Sequence, residues 1–247
     1  MASIRNIFSS RQEKDEEFYN SLKKILGFKP KNLAIYETAF THRSTNEKTD
    51  GGNPQNYERL EFLGDAMLGA VIAAHLFKKV PDGNEGYLTK MRSKVVSREH
   101  LNELGRDLNL LKFLKTTVPT QQFGGNIYGN VFEALVGAIY LDRGIKYCEK
   151  FIQKRVIKPY VDIKKLEGKI ISYKSLFIEW CQKHKKQFQF ELYEDNGKDE
   201  PKHFAVRLKL ENETVAKARA TSKKKAEERA AKRAYYKLQI KTVPERH

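Results

Sequence analysis

Apolar side chains recur at the spacing of an α-helix through residues 1–160 of this 247-residue chain. Two turn-rich stretches, at 46–56 and 81–86, interrupt the repeat. Residues 66–77 contain one histidine and no formal charge, which is typical of a helix in a protein core. The pattern therefore predicts an all-α domain over residues 1–160.

The pattern changes after residue 160. Residues 161–171 are polar and weakly periodic, which favours a linker. From residue 173 the apolar positions first recur at helical spacing. They then alternate, as in strands, on either side of an Asn196-Gly197 turn. The last segment is an alanine-rich helix that Thr221 or Ser222 can cap. The sequence thus predicts a small α+β domain over 172–240, ordered α-β-β-β-α. The first helix is predicted over 173–184, the strands over 188–193, 204–210 and 213–220, and the last helix from the cap at 221 or 222 to residue 238.

Composition narrows the class of partner. With 47 Lys and Arg against 31 Asp and Glu, the chain has a formal net charge of +16, which favours a polyanion such as nucleic acid. No uncharged run approaches the roughly 18 residues that cross a bilayer, and the polar first 18 residues hold no signal-peptide core. Cys148 and Cys181 form no CxxC pair, as expected of reduced, packed thiols. We therefore expect a cytoplasmic protein without a membrane partner.

Three carboxylates stand close together in residues 58–65, ERLEFLGD. Glu58, Glu61 and Asp65 are spaced i, i+3, i+7, so on a helix they fall within roughly 60° of one another. Such like charges repel, and at the start of an apolar helix they are costly unless paired or bound to a metal. A solvated helix face is the alternative interpretation. Oxygen ligands suit Mg²⁺ or Mn²⁺ rather than zinc, so the segment is a candidate magnesium site.

A second charged cluster opens the last predicted helix. Lys223, Lys224 and Lys225 occupy its first turn, where the positive end of the helix dipole disfavours cations. Free N–H groups together with ammonium groups favour a bound phosphate. An ordinary solvated face is again the alternative, but basic residues are in excess over the whole of 172–240.

Residues 173–238 resemble a double-stranded RNA-binding domain. The resemblance rests on Lys174-Ser175-Leu176, on Glu179, on the segment 222–227, SKKKAE, and on the alanines that follow. It implies that Glu179 and Gln182 contact a minor groove while the lysines hold phosphates. Equal-length alignment puts Glu200 where the family commonly has a histidine, with His203 three residues later, so the second minor-groove contact departs from the family pattern. The implied RNA-binding residues are Lys174, Glu179, Gln182, His203, Lys223, Lys224 and Lys225.

The helical part resembles ribonuclease III. Matching blocks occur in the family's order at 41–44 (THRS), 57–68, 85–86 and 131–142 (VFEALVGAIYLD), and the two resemblances together leave out only about the first 20 residues. The family acts as a homodimer that hydrolyses phosphodiester bonds of double-stranded RNA, leaving 5′-phosphate and 3′-hydroxyl ends. Ribosomal and other precursor RNAs are its usual substrates.

The resemblance assigns a role to each candidate residue. Glu61 and Glu133 would bind Mg²⁺ directly, with Mn²⁺ able to substitute, and Asp65 would be a ligand or position a water. Glu58 and Glu85 would lie on the rim, and Phe62 would anchor the dimer unless it is an ordinary core residue. The implied catalytic residues are Glu58, Glu61, Asp65 and Glu133; the implied metal ligands are Glu61, Asp65, Asn130 and Glu133. No small-molecule cofactor is implied.

One ligand position departs from the family pattern. The second acidic helix of the family usually begins Asp-x-x-Glu, whereas here Asn130 precedes Glu133. An amide oxygen can coordinate Mg²⁺ but lacks the charge that strengthens binding. Three explanations are open: a natural variant with weaker metal affinity, a deliberate change that traps substrate, or a protein that binds duplex RNA without cleaving it.

Overall fold

The computed structural model describes residues 2–119, 122–168, 170, 172–193 and 203–240. These residues divide into two compact units, with the boundary after Glu167. The first unit is helical, and the second contains three strands between two helices. The predicted fold class, an all-α domain followed by a small α-β-β-β-α domain, is confirmed.

Helices make up the first unit, and side-chain caps set where two of them begin. The Asn84 side chain accepts a hydrogen bond from the Tyr87 N–H, and the Ser97 side chain accepts one from the His100 N–H. The helices are α1 (Ala2–Leu26), α2 (Leu33–Ala39), α3 (Glu58–Lys79), α4 (Glu85–Val95), α5 (Arg98–Asp107), α6 (Ile127–Arg143), α7 (Ile145–Ile152), α8 (Lys158–Tyr160) and α9 (Ile163–Gly168), with 3₁₀ turns at Arg43–Thr45 and Leu110–Phe113 and a π-helical turn at Gln153–Ile157.

The centre of this unit is the pair α3 and α6. Almost every residue of α6 from Val131 to Ile139 is buried, while α3 buries one side through Leu68, Ile72 and Leu76. Among the described helices, α3 alone is long and apolar enough to cross a membrane by length and composition, a test that the core helix of a soluble protein also passes. Burial of one side in the core accounts for part of that composition, while Phe62 and Phe77 on the other side are exposed.

Two glycines let α3 and α6 touch. A Cβ atom added to Gly64 would lie 1.7 Å from the carbonyl oxygen of Glu133, and one added to Gly137 would lie 2.2 Å from that of Leu60. Any larger residue would push the backbones apart. The two helices therefore cross at backbone contact, next to the acidic residues of both.

The segment predicted as a linker is partly folded. Residues 163–168 form α9, and Leu166 is buried in the core of the first unit. The buried Lys94 donates from Nζ to the carbonyl oxygens of Leu166 (2.6 Å) and Glu167 (3.0 Å), and the Tyr87 hydroxyl donates to the Glu167 carboxylate (2.7 Å). Residues 163–168 of the predicted linker are therefore a helix held by α4 rather than a free chain.

The second unit is an antiparallel sheet covered by two helices. Its strands are ordered β1-β2-β3, and Leu208 of the middle strand pairs with Phe190 on one side and Ala216 on the other. Of the two predicted caps, Ser222 is the one that begins the last helix, accepting from the Lys225 N–H. The predicted Asn196-Gly197 turn lies outside the described residues. The elements are α10 (Tyr173–Lys183), β1 (Phe188–Tyr193), β2 (Phe204–Leu210), β3 (Glu213–Ala220) and α11 (Lys223–Lys237).

Candidate functional site

A cavity of about 510 Å³ lies where α3, α5 and α6 meet. The five residues predicted as catalytic groups or metal ligands all line it: Glu58, Glu61, Asp65, Asn130 and Glu133. They come from two helices far apart in sequence, and the glycine contact between α3 and α6 brings them to one place. The structure therefore assembles the predicted group at a single cavity.

The acids of this cavity are short of positive charge. Burial, followed by repulsion from Asp65 and Glu61, raises the pKa of Glu133 to about 8. Burial and the nearby Glu58 and Asp65 carboxylates likewise raise the pKa of Glu61, against the opposing effect of Arg98. A divalent cation in the cavity would relieve this desolvation and repulsion.

The donor set fits a hard cation in its chemistry. Carboxylate and amide oxygens are what Mg²⁺ and Mn²⁺ prefer. Among the described residues, however, no group of three or more His, Cys, Asp or Glu stands close enough together to hold an ion directly. A cation at this cavity would therefore be held after side-chain rotation or through water, as Mg²⁺ often is.

Asn130 has a neighbour that the sequence did not indicate. Its side-chain amide interacts with the hydroxyl of the buried Tyr57, the residue just before α3. Burial is the main cause of the raised pKa of Tyr57, and the amide acts in the opposite direction. The His42 ring stacks at an angle near Tyr57, with 5.8 Å between centroids, and its Nδ1 accepts from the Ser44 N–H. The Tyr57 hydroxyl therefore lies close enough to the one neutral predicted ligand for the two groups to influence each other.

The rim residues occupy different places. Phe62 lines the cavity edge and is 81% exposed, so the structure excludes an ordinary core position for it within one chain. Glu58 forms an exposed ion pair with Arg43 at 3.6 Å, a contact of small energy. Glu85 lies at the start of α4, does not line this cavity, and accepts a hydrogen bond from the Thr89 hydroxyl at 2.9 Å.

Sequence reasoning missed three polar residues of the cavity: Asn126 just before α6, and two residues on α5. Arg98 and Asn102 line it, and the buried Asn102 side chain accepts from the Gly129 N–H at 2.9 Å, which fixes the first turn of α6. Neither residue belongs to the acidic motifs, so only the packing of α5 against α6 reveals them.

The second unit presents most of the predicted RNA-binding residues to solvent. Lys223, Lys224 and Lys225 are exposed in the first turn of α11. The other exposed members are Glu179 and Gln182 on α10 and His203 just before β2, while Glu200 lies outside the described residues. The three lysines therefore stand where both the helix terminus and their own charge favour a phosphate.

Lys174 differs from the rest of this group. Its Nζ contacts the Glu227 carboxylate at 2.6 Å and lies 5.1 Å from the centre of the Phe190 ring. The side chain thus joins α10 to α11 and β1 within the unit, an engagement that the sequence did not predict.

Comparisons with known proteins agree with both units. A family model described as ribonuclease-III-like matches residues 32–160, and the double-stranded RNA binding motif matches 173–238. Ribonuclease 3 of Zunongwangia profunda is 68% identical over 241 residues, covering 98% of this chain and 99% of the relative. Ribonuclease 3 of Flavobacterium psychrophilum is 65% identical over 240 residues, covering 97% and 98%.

A solved structure matches the first unit. It is the nuclease domain of ribonuclease III from Campylobacter jejuni, studied for flexibility in the region involved in dimer formation. The TM-score is 0.51 at 29% identity, over 57% of this chain and 96% of that one. The chain therefore belongs to the ribonuclease III family, as an endoribonuclease that also carries a double-stranded RNA-binding domain.

Proposed function

We propose that this protein is a homodimeric, divalent-metal-dependent endoribonuclease that hydrolyses double-stranded RNA. Its products carry 5′-phosphate and 3′-hydroxyl ends, and its substrates are ribosomal and other precursor RNAs in the cytoplasm. The observation that carries the proposal is the convergence of Glu61, Asp65 and Glu133 on one cavity with too little positive charge. Mg²⁺ is the proposed ion, with Mn²⁺ able to substitute.

The residues of the cavity have different proposed roles. Glu61, Asp65 and Glu133 would hold the ion through carboxylate oxygens, and Asn130 would add a neutral amide oxygen near the Tyr57 hydroxyl. When bound, Mg²⁺ supplies polarisation of the scissile phosphate and activation of a water. Glu58 stands at the rim with Arg43, where it shapes the entrance rather than binding the ion.

The exposed side of α3 supports a dimer. Phe62 and Phe77 are 81% and 71% exposed, and the exposed Ala66 and Ala70 lie between them on the same face. A continuous apolar stripe of this kind marks an interaction surface. A second copy of the chain is its proposed occupant, because the nuclease domain of the C. jejuni relative has a region involved in dimer formation. Since Phe62 adjoins Glu61, the interface would border each cavity, and Glu85 would reach towards the RNA strand of the partner.

The second unit would supply affinity for duplex RNA. Its exposed lysines at the start of α11 would bind phosphates, and Glu179 and Gln182 on α10 would face a minor groove. These contacts recognise shape and charge rather than base sequence.

Asn130 favours one alternative. A neutral side chain at a ligand position weakens metal binding, so the chain could bind duplex RNA without cutting it. Incubation of the purified protein with a long duplex over a range of Mg²⁺ and Mn²⁺ concentrations separates the two functions. Clean double-strand scission by the wild type rules the alternative out.

Glu133→Ala tests the cavity itself. We expect it to abolish scission while the dissociation constant for duplex RNA changes by less than about threefold, because phosphate contacts elsewhere supply most of the affinity. Gel-based cleavage and binding assays on the same duplex measure both quantities. Equal loss of cutting and binding would contradict the assignment, and Glu149→Ala, an exposed glutamate on α7, is the control.

A further inference from the structure

The lining of the cavity includes an arginine as well as the acids. Among the described residues that line it, Arg98 alone has a cationic side chain, and it is exposed at the cavity mouth. Its charge lowers the pKa of both Glu61 and Glu133 against the larger effect of burial, so the guanidinium lies near acids from both central helices. Arg98 is thus part of the site although it belongs to neither acidic motif.

Local helix preferences do not account for an arginine here. Arg98 is the first residue of α5, where the positive end of the helix dipole disfavours a cation and the Ser97 cap already satisfies one N–H. The nearby carboxylates of Glu61 and Glu133 would offset this cost. The position therefore reflects the chemistry of the cavity rather than the needs of the helix.

A guanidinium in such a place suits a phosphate. It donates two parallel hydrogen bonds to phosphate oxygens, and it keeps its charge at any physiological pH. In phosphoryl-transfer sites an arginine stabilises the charge that spreads over the non-bridging oxygens in the transition state. The proposed substrate would bring one phosphodiester into the cavity beside it.

We propose that Arg98 is a catalytic residue that binds a non-bridging oxygen of the phosphodiester being cut. The inference rests on the proposed function. In the reaction, the oxygen of a water forms a bond to phosphorus and the bond from phosphorus to the 3′ oxygen breaks. That oxygen takes up a proton and leaves as the 3′-hydroxyl, so one water is consumed. Arg98 keeps its protons throughout and stabilises charge only.

The competing explanation for Arg98 is that it only reduces the repulsion among the acids when no metal is bound. If Arg98 served only to offset the repulsion among the acids, saturating Mg²⁺ would replace it. Loss of the guanidinium would then lower stability without metal but leave cleavage at saturating Mg²⁺ unchanged. The two explanations therefore differ at high metal concentration.

The test compares Arg98→Gln and Arg98→Lys in the full-length protein. We expect R98Q to lower the single-turnover cleavage rate at saturating Mg²⁺ by about 100-fold, as for loss of one transition-state donor. R98K recovers part of the rate, since it keeps the charge but not the paired donors. Duplex affinity measured without divalent metal should fall by less than about tenfold, since one of many phosphate contacts is lost. Arg106→Gln is the matched control, because it removes an arginine from the last turn of the same helix and lies outside the cavity.

Sulfur substitution supplies a second measurement. A single phosphorothioate at the oxygen that Arg98 contacts should slow the wild type and add no further loss in R98Q. The role of Arg98 is overturned if R98Q cuts as fast as the wild type at saturating Mg²⁺, or if the phosphorothioate slows R98Q as much as it slows the wild type. Either result would leave the proposed function standing. Failure of the wild type to cut overturns the proposed function and the role of Arg98 with it.

Discussion

At the scale of single residues, the charge of the cavity depends on position 130. Four carboxylates line it, those of Glu58, Glu61, Asp65 and Glu133, whereas Asn130 brings a neutral amide. Each added carboxylate strengthens the binding of a hard cation and increases repulsion in its absence. The proposed dependence on a divalent cation should therefore be set largely by this one side chain.

Asn130→Asp tests this dependence. We expect the Mg²⁺ concentration that gives half-maximal cleavage to fall by about tenfold, on the order of the effect of a single group near a metal. The melting temperature without metal should fall as well, because another carboxylate joins acids that already repel one another. Cleavage rates over a Mg²⁺ titration and thermal melts in EDTA measure the two effects. Asn126→Asp adds the same charge to the same cavity at a position not proposed as a ligand, and an equal shift there would contradict the assignment.

At the scale of secondary-structure elements, the crossing of α3 and α6 positions the acids. Gly64 lies against the backbone of Glu133, so the two acidic helices are held at fixed separation by the absence of a side chain. Small residues at a helix crossing are needed wherever backbones meet at this distance. The same contact therefore serves both the fold and the site.

Gly64→Ala should lower both the stability of the fold and the cleavage activity. The added methyl group would overlap the Glu133 carbonyl, so we expect the free energy of unfolding to fall by about 3 kcal/mol or more, at the upper end of overpacking effects. Urea denaturation measures the loss, and cleavage should fall with it. Gly86→Ala in α4 is the control, because its Cβ would make only an ordinary contact of 3.6 Å with Asn84. Equal stability of the two variants would show that the helices tolerate separation.

The secondary-structure elements also show which features local sequence can predict. Strands β1, β2 and β3 have the predicted bounds, because alternation and flanking turns are local signals. Helix α9 was missed, because its stability comes from burial of Leu166 and from the bonds that Lys94 makes to its last carbonyls. Those partners are more than 70 residues away in sequence, and a polar segment gives no sign of them.

At the scale of the whole molecule, the apolar stripe on α3 predicts self-association. Phe62→Asp places a charge at its most exposed aromatic position, so we expect the proposed dimer to dissociate and double-strand scission to be lost. Analytical ultracentrifugation measures the change in mass. Leu141→Asp on α6 is the control, since that leucine is also exposed, at 55%, but lies outside the stripe. A variant at Phe62 that stays dimeric would refute the interface.

Binding of the whole molecule to RNA should depend on salt through the lysines of α11. Neutralising Lys223 and Lys224 together should reduce the slope of log K against log salt by about 1.4 to 1.8, since each lost phosphate contact contributes roughly 0.7 to 0.9. The exposed pair Lys23 and Lys24 at the end of α1 provides a control with the same loss of charge. Affinities at several salt concentrations give both slopes, and identical slopes would mean that the α11 lysines face solvent.

The sequence by itself determined the two-part architecture, the acidic helix and the lysine cluster, because periodicity, turn chemistry and charge spacing are written locally. Its motifs also named every acid of the cavity. Tertiary structure alone decided that Gly64 and Gly137 bring α3 and α6 into backbone contact, that Phe62 is exposed while Lys174 is paired, and that Arg98 faces the acids. The physical reason is that these properties depend on which surfaces, distant in sequence, pack together. Such a contact does not change the hydrophobic periodicity of either element.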